Sequence, residues 1–270
     1  MRKRLYRSKR LWGLPILIVA LAGCNTKNTA THPSGTSAAQ SSAAAAQPVN
    51  SHIDLATAGT VSGTIHFNGK APKPVVIDMA QDPACSLATP TSNITQQYVV
   101  HDGKMANVFI YIKAGLGHRI YPPSQTPVVL DQKGCRYVPH VLGVMTGQPV
   151  EFRNSDPTMH DVNILLSDQQ NADSLDISQM PMNKTQQHIF RVAGLMIPMR
   201  CDYHPWMEAF LNIVNNPFFA VSSADGKYEI QGLPPGNYTL VAEQEKLGTQ
   251  TEPITVQSHK TTVANFTFSM

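Results

Sequence analysis

The chain has 270 residues, 42% hydrophobic and 14% charged, the composition of a folded protein with room for one large domain or two small ones. Its formal charge of +3 misleads: Arg2, Lys3, Arg4, Arg7, Lys9 and Arg10 crowd the first ten positions with no acid among them, and subtracting these six leaves −3. A body without a basic surplus excludes a nucleic-acid partner held through its phosphates.

The basic start leads into "LWGLPILIVALAGC", an apolar run of about thirteen residues that ends in small side chains and Cys24. Residues 1–23 therefore read as a secretory signal, too short to remain as a membrane span. The ending "LAGC" resembles a bacterial lipobox, which implies cleavage before Cys24 and a lipid on that cysteine; an ordinary signal with a chance cysteine is the alternative. Either way the protein is expected to be exported, to the periplasm or the cell surface. Residues 24–57 are rich in Ser, Thr, Ala and Gln with almost no large apolar side chains, so nothing offsets the entropy of ordering them. They read as a disordered tether that would hold the body roughly 30 Å from its anchor.

From residue 59 onward the signals are those of strands. "TVSGTIHF", "NVFIYIK", "PVVL", "PVEFRN", "HIFRV", "FLNIV", "KYEI", "YTLVA" and "ANFTFS" are short β-branched and aromatic runs, separated by turn sequences such as "NGK", "HDGK", "ADGK" and "LPPGN". No amphipathic helical period is sustained, so the expected fold class is all-β, an antiparallel sandwich or barrel. Cys85 and Cys135 belong to this body. In an exported chain, where disulfides persist, they form a bridge or remain as two reduced, buried thiols.

The residues that carry chemistry lie at 200–210, "RCDYHPWMEAF". Cys201, His204 and Met207 follow one another at steps of three, a spacing rare by chance with 4 cysteines, 10 histidines and 11 methionines in the chain. Upstream, "GQPVEFRNSDPTMHDVNI" sets a glycine turn, an alternating strand and then His160 at the head of another strand. Two imidazoles, one thiolate and a thioether favour copper: three strong ligands with a weak axial methionine make an electron-transfer site. Structural zinc wants four strong donors, and methionine is a poor one.

On these residues, the segment from about 124 to 215 resembles a cupredoxin, closest to amicyanin-like proteins with short ligand loops. The resemblance implies a Greek-key β-sandwich over 121–215 that binds one copper ion (Cu+/Cu2+) through His160, Cys201, His204 and Met207. It implies supporting roles for Asn154, which would tie the first-histidine segment to the cysteine loop, for Asp161, where asparagine is commoner, and for Pro205. His204, beside Pro205 and Trp206 in an apolar patch, would be the edge for electron transfer. His140 has no counterpart among the family's ligands and reads as structural or as a surface residue. Met159, Met180, Met182, Met196 and Met199 read as packing rather than as a copper-collecting cluster.

The end of the chain, "SADGKYEIQGLPPGNYTLVAEQEKLGTQTEPITV", resembles the close of a carboxypeptidase regulatory-like (transthyretin-like) sandwich, and "GTVSGTIHFNGKAP" its opening strand. Residues 58–120 and 216–270 are thus expected to form a second small β-sandwich split around the cupredoxin segment; a serial arrangement is the alternative. A Cys85–Cys135 bridge would staple the first of these segments to the cupredoxin.

The functional expectation is an anchored blue copper protein that passes single electrons between redox partners, such as a cytochrome and a periplasmic dehydrogenase. Its rivals are copper capture, storage or sensing without electron transfer, and a surface β module with a vestigial site. A catalytic copper oxidase is disfavoured. Cys201 is flanked by Arg200 and Asp202 rather than by histidines leading to a second copper, and a binuclear centre needs a second cysteine in the loop.

Overall fold

The computed structural model describes residues 49–88, 93–165, 173–181 and 184–270. The expected signal, Cys24, residues 24–48 of the tether and Met182 lie outside them. No helix among the described residues is long and apolar enough to cross a membrane.

Among the described residues the regular structure is almost all strand, with one short helix. The first part holds β1 (Val49–Asn50), β2 (Gly59–Asn68), the short helix α1 (Pro83–Ala88), β3 (Val100–His101), β4 (Lys104–Met105), β5 (Phe109–Ala114) and β6 (Arg119–Ile120). The central part holds β7 (Val128–Gln132), β8 (Tyr137–Val138), β9 (Val141–Met145), β10 (Pro149–Asn154), β11 (His160–Ile164), β12 (Leu175–Gln179), β13 (Gln186–Ile189), β14 (Gly194–Arg200) and β15 (Glu208–Val214). The last part holds β16 (Phe219–Val221), β17 (Lys227–Leu233), β18 (Gly236–Gln244), β19 (Gly248–Val256), β20 (Thr261–Val263) and β21 (Phe266–Ser269).

The central strands make two sheets, ordered β13-β10-β7-β8 and β12-β11-β14-β15-β9. Inward side chains of both, among them Leu130, Val150 and Phe152 from one and Val144, Val162, Met199 and Leu211 from the other, close a single core. The flanking strands make two more sheets. One is ordered β16-β5-β18-β19; the other runs β17-β2-β4-β3, with β20 and β21 also paired to β2. First and last parts thus share sheets: Val61 lies opposite Ile230, and Ile65 opposite Phe266.

A third cluster joins the two sandwiches, with Phe109, Tyr111 and Val241 on one side and Val141, Phe210 and Val214 on the other. This explains why consecutive residues of β5 and β15 are buried instead of alternating ones. In β15, Ala209, Leu211 and Ile213 enter the central core while Phe210 and Val214 face the flanking sheet.

Two details differ from the sequence reading. The tether ends before residue 57: β1 pairs in parallel with β6, and the Ser51 amide donates to the Ile120 carbonyl at 2.7 Å. These backbone groups find partners on the body, which offsets their ordering without large side chains. Helix α1 is also additional. Asp82 caps it by accepting the Ala84 amide at 2.8 Å, and Pro83 is its first residue, where a missing N–H costs nothing.

Candidate metal centre

His160 opens β11, and the 201–207 loop joins β14 to β15. β11 pairs antiparallel with β14 in the register Asn163↔Arg200, so three residues further along His160 comes level with the loop. The loop turns on Pro205: the Met207 amide donates to the His204 carbonyl at 2.8 Å, with proline at the position that its fixed φ favours.

The result brings three donors together. Nδ1 of His160 lies 2.9 Å from Nδ1 of His204, and Sγ of Cys201 lies 3.7 Å from the latter. All three residues are buried, and their ligand atoms lie within 4.8 Å of one another. Two nitrogens about 2.0 Å from one ion and a thiolate about 2.3 Å from it stand roughly 3.3 Å and 3.6 Å apart, close to these separations. Cys201 is the only free cysteine among the described residues, and its sulfur accepts the Asp161 amide at 3.3 Å. Met207, 1% exposed, closes the turn and packs in the central core.

The outer nitrogens sharpen the picture. Nε2 of His160 meets Oδ2 of Asp156 at 2.9 Å, and Nε2 of His204 meets Oδ2 of Asp82 at 2.9 Å. An ionised carboxylate only accepts, so each Nε2 carries the proton and each neutral ring turns a bare lone pair inward. Two lone pairs facing each other at 2.9 Å, beside a thiol, call for a cation between them. A proton serves when no metal is bound. Burial pushes the His160 imidazole down, but its bonds to Asp156 and Cys201 push it up further, and the net shift is upward. The donor set thus fits a thiophilic metal ion.

Asp156 is itself preorganised. Gly134 and Cys135, both at positive φ, aim successive amides at its carboxylate at 2.6 and 2.7 Å, a small backbone nest for an anion. Burial raises the Asp156 carboxyl, and the bonds from His160 and these amides outweigh it, leaving it below the usual carboxylate range. Asp82 is likewise raised by desolvation and lowered more by His204 and Thr158, to about 2.

Comparison with known proteins places part of this architecture. Residues 211–269 match the carboxypeptidase regulatory-like domain. That match covers less than half the chain. No curated protein matches it. Among solved structures, a copper-containing nitrite reductase from Thermus scotoductus SA-01 is similar at 22% identity, over 34% of this chain and 23% of that one, with a TM-score of 0.30. The chain therefore spans under a quarter of the reductase. A reduced Cu(I) form of an amicyanin variant is 21% identical over 33% of this chain and 84% of its own, with a TM-score of 0.29. A purple cupredoxin from Nitrosopumilus maritimus is 15% identical over 32% of this chain and 98% of its own, with a TM-score of 0.26.

Beyond the three donors, the expected residues fall as follows. Cys85 and Cys135 form a disulfide, with S–S 1.97 Å. Asp161 acts through its backbone; burial, with Asp176 and Asp202 nearby, pushes its carboxyl up to about 6. Its carbonyl accepts the Tyr137 hydroxyl. Asn154 does not reach the cysteine loop. It donates to the Thr158 and Gln179 carbonyls, both at 2.9 Å, and accepts the Asp156 amide, so it shapes the turn before His160.

The expected transfer edge at His204 is buried and covered. The residue is 4% exposed and its Nε2 is taken by Asp82. Among the described residues, Met199 is in the central core, Met196 packs on the contact between the sandwiches, and Met180 is exposed. His140 bridges instead, with Nδ1 3.1 Å from the Glu208 carbonyl and Nε2 2.7 Å from Glu245.

Two partners of the centre were missed from the sequence, Asp82 and Asp156; Trp206, expected beside His204, also donates its indole N–H to the Cys135 carbonyl at 3.2 Å. Only Asp82 left a signal, the Asp-Pro pair that marks a helix start.

Proposed function

We propose that His160, Cys201, His204 and Met207 hold one copper ion per chain in a type 1 site, and that the exported protein, anchored by lipid on Cys24, carries single electrons between redox partners. The observation that carries this reading is the pair of inward Nδ1 lone pairs 2.9 Å apart beside the Cys201 thiol, with both outer nitrogens tied to carboxylates. Copper bound there would supply exchange of one electron between its two common oxidation states with little ligand rearrangement.

The protein's own part is to hold the donors in place. The Asp161 amide offers a hydrogen bond to the Cys201 sulfur, which steadies a thiolate. The two carboxylates fix the tautomers and orient the rings. The core around Met199, Cys201 and Met207 excludes water. A soft thiolate with a thioether favours copper over zinc.

The burial of His204 under Asp82 favours a second reading, retention of copper without rapid transfer. Visible absorption and voltammetry of the copper-loaded full chain separate the two. An intense thiolate-to-copper band, lost in Cys201→Ser, with a reversible one-electron wave is expected for the carrier. Tight Cu+ binding without such a wave supports retention, and a colourless protein refutes the type 1 site.

A further inference from the structure

Asp82 stands 122 residues before His204 in sequence, and its two carboxylate oxygens have separate tasks. Oδ1 accepts the Ala84 amide and caps α1. Oδ2 accepts the Thr158 hydroxyl at 2.8 Å and meets His204 Nε2 at 2.9 Å. Three residues on, Cys85 is bonded to Cys135, the residue whose amide holds Asp156 and whose carbonyl holds Trp206.

Segment 79–88 is pinned at Met79 and Cys85, which enter the central core, and Asn93 donates to the Met79 sulfur at 3.5 Å, while Leu87 is 84% exposed. It is a strap, held over the centre by that packing, one covalent bond and one carboxylate. The disulfide lies close against both imidazoles: Cys85 groups with Asp82 and His204, and Cys135 with Asp156 and His160, each within 4.8 Å.

We propose that this strap positions and shields His204, with Asp82 as the positioning residue and the Cys85–Cys135 disulfide as its latch. Asp82 holds Nε2 so that the Nδ1 lone pair faces His160 and Cys201. It also closes the ring edge through which a partner would otherwise reach the centre, so an approaching protein meets Tyr203 and Pro205, which are exposed. An imidazole with a carboxylate on its outer nitrogen is a stronger donor, which favours the more highly charged state of a bound metal. This electrochemical consequence rests on the copper reading; the shielding does not.

Two readouts keep these apart. The metal-free full chain is treated with diethyl pyrocarbonate, which acylates accessible imidazole nitrogens, and the modified histidines are found by peptide mass. His52, His118 and His259 are exposed and serve as internal references. His204 is expected to react at least tenfold more slowly than these, and to approach them in Asp82→Ala and in the Cys85→Ser, Cys135→Ser double variant. A wild-type His204 that reacts as fast as the references overturns the shield, as does one that stays slow in both variants. Asp82→Asn keeps one carbonyl oxygen to cap α1 and turns an amide nitrogen, a donor, toward His204 Nε2, so the fold is protected while the acceptor is lost.

In copper-loaded Asp82→Asn, the preference for Cu2+ over Cu+ is expected to fall about tenfold, a rise of about 59 mV in potential. An unchanged potential with a full thiolate band overturns the positioning role. A wild-type chain with a slow His204 but no band in any variant supports the strap and refutes copper instead.

Discussion

The carboxylate of Asp156 is held before it holds anything itself. Gly134 and Cys135 supply its two backbone donors, and only then does Oδ2 fix His160. Asp156→Ala is therefore expected to leave two amides unpaired and one imidazole free to turn, lowering metal affinity about 10- to 100-fold. Competition against a chelator of known strength measures this, and an affinity within twofold of wild type would remove the residue from the centre. At this scale the sequence was informative where ligation is local. The C-x2-H-x2-M spacing points to one turn, and His160 at the head of a strand points to its neighbour. Asp156 was invisible and Asp82 showed only as a helix start, because a loop carboxylate shows nothing in sequence of which ring its outer oxygen will meet.

The elements that build the site are legible as strands from their β-branched and aromatic runs, and the turn residues between them mark their ends. What those runs did not reveal is how many sheets each strand touches. β9 is buried on both faces, and Gly143 in it leaves room for two rings of the flanking sandwich. A Cβ there would come within 2.7 Å of the Phe109 and Phe219 rings. Gly143→Ala is expected to cost roughly 1–3 kcal/mol by overpacking, since rings wedged between two sheets give way poorly. Urea denaturation followed by circular dichroism tests it, and no change in midpoint would mean that the sheets slide apart freely. Helix α1 escaped the sequence reading because six residues carry no helical period; its cap and its disulfide place it. That bridge closes a span of 50 residues, so breaking it by the Cys85→Ser, Cys135→Ser double change is expected to lower stability by about 4 kcal/mol. A loss below about 1 kcal/mol would mean that the unfolded chain gains little freedom from its removal.

At the scale of the whole molecule, the question is what couples the flanking sandwich to the centre. Apolar packing between β5 and β15 does part of this, and the pair His140–Glu245 adds a polar contact. Glu245 follows β18, where its side chain is 1% exposed, and it reaches His140, which also faces the carbonyl of Glu208, the residue just after Met207. Burying a carboxylate costs several kcal/mol unless a partner answers it. His140→Ala removes that partner, so it is expected to destabilise the protein by about 3–5 kcal/mol, while the double change His140→Leu, Glu245→Leu recovers much of the loss. Of the chain's 2 tryptophans, Trp206 reports on the ligand loop, so its fluorescence follows the central sandwich while circular dichroism follows all the strands. The two transitions are expected to coincide in the wild type and to separate in His140→Ala, with the loop loosening first. If His140→Ala shifted neither transition, the flanking sandwich would be a passenger on the metal centre rather than its support.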